Sequence, residues 1–261
     1  MVEMKRIYPK VAEWRMSGTD WVNHLARVAA VSRCADTTDM KRNRRRVEHC
    51  WENGHLGVFE HWPIVALFTP WPMSRPVPNY RERDRVFYGN LRHVLESIGT
   101  QKTFPYEILD DAVVNSSTTI HPVEELRTFH ITCSRACSHQ LVRYRQWMSI
   151  VQESQRYVNY VKKGHEYLWF DNSVEDIEFR LQPCYAAYDV LIAKGVKPED
   201  ARYVLPNATA TRLVMTAPVW EWEHVLTQRA HHRTGRAQEE ISSICQRIEK
   251  LLEGDYDASV S

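Results

Sequence analysis

Apolar residues recur at helical spacing from Asp20 to Cys34, in "DWVNHLARVAAVSRC", and predict a first helix. A second is predicted from about Asp39 through "KRNRRRVEHCWENG", ending at Gly54. The period then changes. After "HLGVFEH" comes "WPIVALF", a short apolar run with β-branched content that suits a buried strand, and "RTFHITC" at 127–133 is the run expected to pair with it. Between them lies a proline-rich segment, 70–125, where "NLRHVLESIG" predicts one helix closed by Gly99 and the remainder reads as loop. An excursion this long is usually an insertion with a local task or a subunit contact.

"SRACSHQLVRYR" returns to helical spacing and would put Gln140 and Arg143 on one helix face. "CYAAYDVLIAKGV" predicts a helix ending at Gly195, and "KPEDARYVLP" another with Pro198 in its first turn. "PVWEWEHVLTQRA" opens a helix at Pro218, and "GRAQEEISSICQRIEKLLEG" is amphipathic with Gly254 as its stop. No repeat or low-complexity linker divides the chain. A single α+β domain over residues 1–261, α/β in the broad sense, is therefore expected, with 70–125 as an insertion.

Composition narrows the function classes. The 261 residues are 43% hydrophobic and 26% charged, enough for a sizeable core. Thirty-four Lys and Arg against thirty-three Asp and Glu leave no global pull on a polyanion, so any anion site must be local. The run Lys41–Arg46 holds five basic residues without interleaved aromatics, and it reads as a solvated helix face rather than a nucleic-acid surface. No stretch approaches the roughly 18–20 apolar residues of a membrane span, and "MVEMKRIYPKVAEW" lacks the apolar run of a signal peptide. A cytoplasmic protein with no membrane contact is expected. Six dispersed cysteines read as reduced thiols. "CSRACSH" offers Cys133, Cys137 and one nearby histidine but no second ligand pair, so no metal is expected.

The local candidate is "LVRYRQWMSIVQESQRYVNY", residues 141–160. Arg143, Arg145 and Arg156 stand there among amides and hydroxyls with a single carboxylate, Glu153. An amide that reads a pyrimidine edge beside guanidinium groups that fork onto phosphate is a sensible nucleotide monophosphate site. The plain alternative is that these arginines pair with distant carboxylates such as Glu221, Glu223 or Glu239.

This stretch resembles the signature of the flavin-dependent thymidylate synthases, which reads Arg-His-Arg, a seven-residue spacer, then Ser-x-Arg-Tyr. Four further blocks agree in order: "ARVAAVSRCAD", "GHLGVFEH", "ARYVLP" and "RAQEEI". The resemblance implies an antiparallel sheet flanked by helices and a homotetramer with shared active sites. It implies that Gln140, Arg143, Gln152, Ser154, Gln155, Arg156, Arg202 and Arg229 bind deoxyuridine monophosphate, with Arg229 also polarising the uracil ring. For FAD it implies Ser32, His55, Gly57, Arg143, Tyr144, Arg145 and His224. The implied reaction is a reductive methylation, with methylenetetrahydrofolate as carbon donor and NADPH reducing the flavin.

The chain departs from the pattern in two places. Tyr144 occupies the central histidine position, and eight residues rather than seven separate Arg145 from Ser154, which calls for a bulge. Between Arg229 and "AQEEI" lie three more residues than the pattern has, a helical rotation of about 300°. Either a loop opens at Thr234-Gly235 or Arg233 takes the role of Arg229. Two other readings follow: the same scaffold could install a hydroxymethyl group on a pyrimidine nucleotide, or the basic clusters could bind nucleic acid.

Overall fold

The computed structural model of the chain describes residues 2–16, 20–66, 81–83, 86–99, 103–114, 125–145, 147–170 and 174–254. Two short strands, β1 (Met4–Arg6) and β2 (Lys10–Glu13), precede helices α1 (Trp21–Val31) and α2 (Met40–Glu52). The Asp39 carboxylate caps α2 by accepting from the amides of Lys41 at 2.9 Å and Arg42 at 3.2 Å. A 3-10 turn over Leu56–His61 leads into β3 (Pro63–Ala66), followed by β4 (Arg81–Arg83), β5 (Val86–Asn90), α3 (Leu91–Ile98) and α4 (Tyr106–Val114). Then come β6 (Leu126–Ser134), α5 (Arg135–Leu141), β7 (Ser149–Gln152), α6 (Tyr160–Lys163), β8 (His165–Tyr167), α7 (Ile177–Ala193) and α8 (Pro198–Ala201). A 3-10 turn at Arg202–Val204, β9 (Ala210–Pro218), α9 (Val219–Arg229) and α10 (Glu239–Glu253) complete the chain, α10 closing on Gly254 at φ 82°.

The main sheet is antiparallel throughout, in the order β2-β6-β9-β7, and β6 and β9 pair along nine residues from Leu126↔Pro218 to Ser134↔Ala210. Helices cover both faces. Phe129, Ile131, Leu213 and Met215 pack against Trp222 and Val225 of α9 and Ile241, Ile244 and Ile248 of α10. Val214, between two of those residues, joins the opposite cluster with Leu25 and Val28 of α1, Val47 of α2 and Leu91 of α3. Phe129 meets Trp222 edge to face at 5.0 Å, an arrangement contributing about 0.5–1.5 kcal/mol beyond its buried area. Polar pins cross the sheet as well: His61 Nδ1 lies 2.7 Å from Thr216 Oγ1, which lies 2.8 Å from Thr128 Oγ1.

Three expectations need correction. "WPIVALF" does not pair with "RTFHITC": β3 pairs with β5 in a separate sheet of order β3-β5-β4, while β6 lies between β2 and β9. Segment 70–125 contains two strands and helix α4 besides α3, so it is not otherwise loop; its residues 70–80, 84–85, 100–102 and 115–124 lie outside the described residues. It is tied to the body through buried Glu60, which accepts from Arg92 of α3 at 2.5 Å and from Ser149 of β7 at 2.9 Å. The third correction concerns α5, which stops at Leu141, so Gln140 is helical and Arg143 lies in the turn beyond it.

Candidate functional site

The predicted residues gather in two places. The first is where the end of α9 meets the turn after α5. Tyr144 packs against the core, and its hydroxyl accepts from Arg229 Nε at 2.9 Å and donates to Gln228 Oε1 at 3.1 Å. The Arg229 guanidinium also lies 5.8 Å from the centre of that ring, and His224 meets the ring edge-on at 6.2 Å. Burial raises the Tyr144 pKa and Arg229 partly opposes this, so the hydroxyl is protonated at neutral pH and available to donate. The terminal nitrogens of Arg229 have no partner among the described residues. Gln140, nearby in chain order, donates to Gln238 at 2.6 Å.

The loop into α10 absorbs the three extra residues. It turns through His232 at φ 56° and Gly235 at φ 120°, so α9 ends on a half-buried Arg229 while Arg233 is exposed. From Ser149↔Thr216 to Gln152↔Leu213, β7 pairs with β9 in unbroken register, so no bulge lies within that strand.

The second place joins the end of α1 to the segment after β7. Ser32, which caps α1, accepts at its carbonyl from the Ser154 amide at 3.0 Å. Ser32, His55 and Gly57 line a cavity of about 420 Å³ together with Ile150, Val151 and Tyr157. Arg156 donates weakly to Glu199 at 3.4 Å, and Arg202 Nε donates to the Glu199 carbonyl at 3.0 Å, which brings both predicted cations to the start of α8. The Gln152 amide nitrogen donates to Ser138 at 2.9 Å and Thr211 at 3.2 Å, leaving its oxygen as an acceptor. Gln155 is half-buried beside Ser154.

Arg143 and Arg145 are exposed and make no ion pair among the described residues, and none of Glu221, Glu223 or Glu239 pairs with Arg143, Arg145 or Arg156. Glu153, the lone carboxylate of the stretch, is spent elsewhere. Its fully buried side chain holds Lys163 at 2.5 Å, Tyr160 at 2.8 Å and Arg212 at 3.3 Å. Burial alone would raise its pKa, but these partners outweigh burial and lower it. Sequence reasoning assigned no role to Glu153, Gln228 or Arg33; only the spacing of Arg33 beside Ser32 hinted at one of them.

Cys133, Cys137 and Glu240 bring three possible metal donors within 4.8 Å of one another in the core. Both Glu240 oxygens already accept from Ser134, one from its amide and one from its hydroxyl, each at 2.6 Å. The Cys137 thiol is pushed up by its hydrogen bond with Cys133 and by burial, and the two thiols pack together in the core. All six cysteines are free.

Residues 111–255 match the sequence profile of the family described as thymidylate synthase complementing protein. A flavin-dependent thymidylate synthase from Geobacter sulfurreducens is 39% identical over 128 residues, covering 46% of this chain and 53% of its own. Another from Thermococcus onnurineus is 36% identical over 120 residues, covering 43% and 47%. The chain thus spans about half the length of the curated relatives it matches. Among solved structures, a UMP/dUMP methylase, PolB, from Streptomyces cacaoi bound with 5-Br dUMP gives a TM-score of 0.48 at 16% identity, covering 96% of this chain and 92% of that one. Thymidylate synthase X from Helicobacter pylori with FAD and dUMP gives 0.44 at 21% identity, covering 50% and 68%.

Proposed function

Because the chain belongs to the thymidylate synthase complementing protein family, we propose that it methylates C5 of deoxyuridine monophosphate to thymidylate, with FAD as cofactor, NADPH as reductant and methylenetetrahydrofolate as carbon donor. The observation that carries this reading is the reach of the family match, which takes in every predicted nucleotide residue from Gln140 to Arg229. Relatives named flavin-dependent thymidylate synthases, at 36–39% identity, support it.

The residues fit a flavin. The Ser32–His55 cavity is lined by apolar Ala29, Ala30, Val58, Ile150 and Val151 and by the cations Arg33, which is exposed, and Arg46, which suits a flat ring bearing phosphates. Bound there, the flavin supplies the two-electron reduction. The chain itself supplies binding and charge. Arg156 and Arg202 hold the nucleotide phosphate with Ser154 and Gln155, and the acceptor oxygen of Gln152 reads the uracil edge. Arg229, gripped at Nε by Tyr144, offers its unpartnered terminal nitrogens to the ring, where a fixed cation stabilises the electron-rich pyrimidine as C5 becomes nucleophilic.

Within one chain, none of Tyr144, His224 and Arg229 is among the described residues that line the Ser32–His55 cavity. A cytoplasmic homotetramer in which one subunit's Arg229 group faces another's Ser32 cavity would complete each site, and the exposed, unpaired Arg143 and Arg145 fit that arrangement. Hydroxymethylation is not favoured by these relatives. The purified protein is expected to be yellow, with a flavin absorbance that shifts when deoxyuridine monophosphate is added; a colourless protein that takes up no added FAD refutes the reading. Mass analysis of the product nucleotide checks the reaction, since a product one oxygen heavier than thymidylate would replace methylation with hydroxymethylation.

A further inference from the structure

The basic run Lys41–Arg46 is not uniformly solvated, and Arg46 is its one member that lines the proposed flavin cavity among the described residues. Arg46 turns from the exposed side of α2 into the wall of the Ser32–His55 cavity, where Arg33 joins it from the end of α1. Arg46 is held by two neutral acceptors, Asn43 Oδ1 at 2.9 Å and the Asp36 carbonyl at 2.9 Å, so its charge is oriented without being cancelled. Arg33 has no carboxylate partner among the described residues. Its guanidinium lies 5.1 Å from the centre of the Tyr157 ring, and Arg156 lies 5.4 Å from the same ring, so one exposed aromatic carries two cations. No Asp or Glu lines the cavity among the described residues. The field of the two arginines reaches the floor, since both oppose the rise that burial gives the Cys50 thiol.

Unneutralised guanidinium groups at the mouth of an apolar cavity recognise an anion attached to a flat, poorly hydrated body. A lone carboxylate would engage one fork and leave the other idle. A pyrophosphate, with oxygens on two phosphorus atoms, can engage both. We infer that Arg33 and Arg46 form the pyrophosphate-binding rim of the flavin cavity and set its preference for the dinucleotide over FMN or riboflavin. The inference rests on the proposed flavin reading and assigns its phosphate contacts to residues outside the 140–156 signature.

The test titrates the full chain, freed of flavin, with FAD, FMN and riboflavin, following flavin fluorescence, for the parent protein and for Arg33→Gln, Arg46→Gln and Arg33→Lys. Removing one charge-assisted contact is expected to weaken FAD binding roughly 10-fold or more, with riboflavin affinity unchanged, the thermal midpoint of the free protein unchanged in the Arg33 variants, and Arg33→Lys partly restored. If FAD and riboflavin affinities fall together, the arginines only shape the cavity and the inference is overturned. It is overturned equally if the parent binds FAD and the glutamine variants bind it as tightly, an outcome that leaves the flavin reading intact. A parent protein that binds no flavin sinks both.

Discussion

Replacing Tyr144 by phenylalanine tests the link between structure and chemistry most directly. The change deletes one oxygen, which accepts from Arg229 at 2.9 Å and donates to Gln228 at 3.1 Å. A hydrogen bond to a charged partner contributes about 1.5–3 kcal/mol net. Tyr144 and Arg229 are both half-buried, so water recovers part of that and about 1–2 kcal/mol remains. If Arg229 acts on the pyrimidine, this loss appears in the reaction as a fall in kcat/KM for deoxyuridine monophosphate of about 5- to 30-fold. The ring keeps its packing against the core and its edge contact with His224, so unfolding free energy should fall by no more than roughly that same 1–2 kcal/mol. Steady-state thymidylate formation at varied nucleotide, beside urea unfolding of the same preparations, measures both. An unchanged kcat/KM, or lost FAD affinity with normal nucleotide kinetics, would refute the idea that Tyr144 serves the reaction by holding Arg229.

Glu153→Gln strips the charge from a buried carboxylate that holds Lys163, Arg212 and Tyr160, and should cost about 3–5 kcal/mol in urea unfolding; a loss below about 1 kcal/mol would show that the cluster is not structural. Because its folded pKa is lowered, the stability Glu153 supplies is present above its ordinary value of 4.5 and is lost as pH falls through the folded value. Burial holds His24, His93 and His130 down at about 4 and His61 at about 3, so the unfolded chain takes up protons below pH 6.5 that the folded chain refuses. Stability should therefore fall from pH 6.5 toward 4 by at most about 1.4 kcal/mol per histidine per pH unit. Glu60 and Glu240, raised mainly by burial, oppose this as pH falls toward their folded values, and a urea midpoint that is flat or rises from pH 7 to 5 would contradict the balance. Asp39→Ala should cost about 1 kcal/mol by uncapping α2, with activity unchanged, as thermal unfolding and a turnover assay would show.

Much of the helical frame was legible along the chain because its signals are local. Asp39 caps α2, Gly99 ends α3, Pro218 precedes α9 and Gly254 stops α10 where the spacing placed them. The signature likewise named the arginines, because residue identity and interval survive in one dimension. Strand β9 gave no such sign. Helices bury both of its faces, so "ATRLVMTAP" shows no alternation, although it is a central strand of the main sheet. The pairing of β3 with β5 rather than β6 was equally silent, since register across a long excursion is set by which apolar faces can be buried together. The chain by itself thus determined which cations stand in the candidate stretch. Only the tertiary structure decided their employment: Glu153 bound to Lys163 and Arg212, Tyr144 gripping Arg229, and Arg46 turned inward beside Arg33. Such assignments depend on distances across the fold, where a few ångströms separate a neutralised charge from an unpaired one.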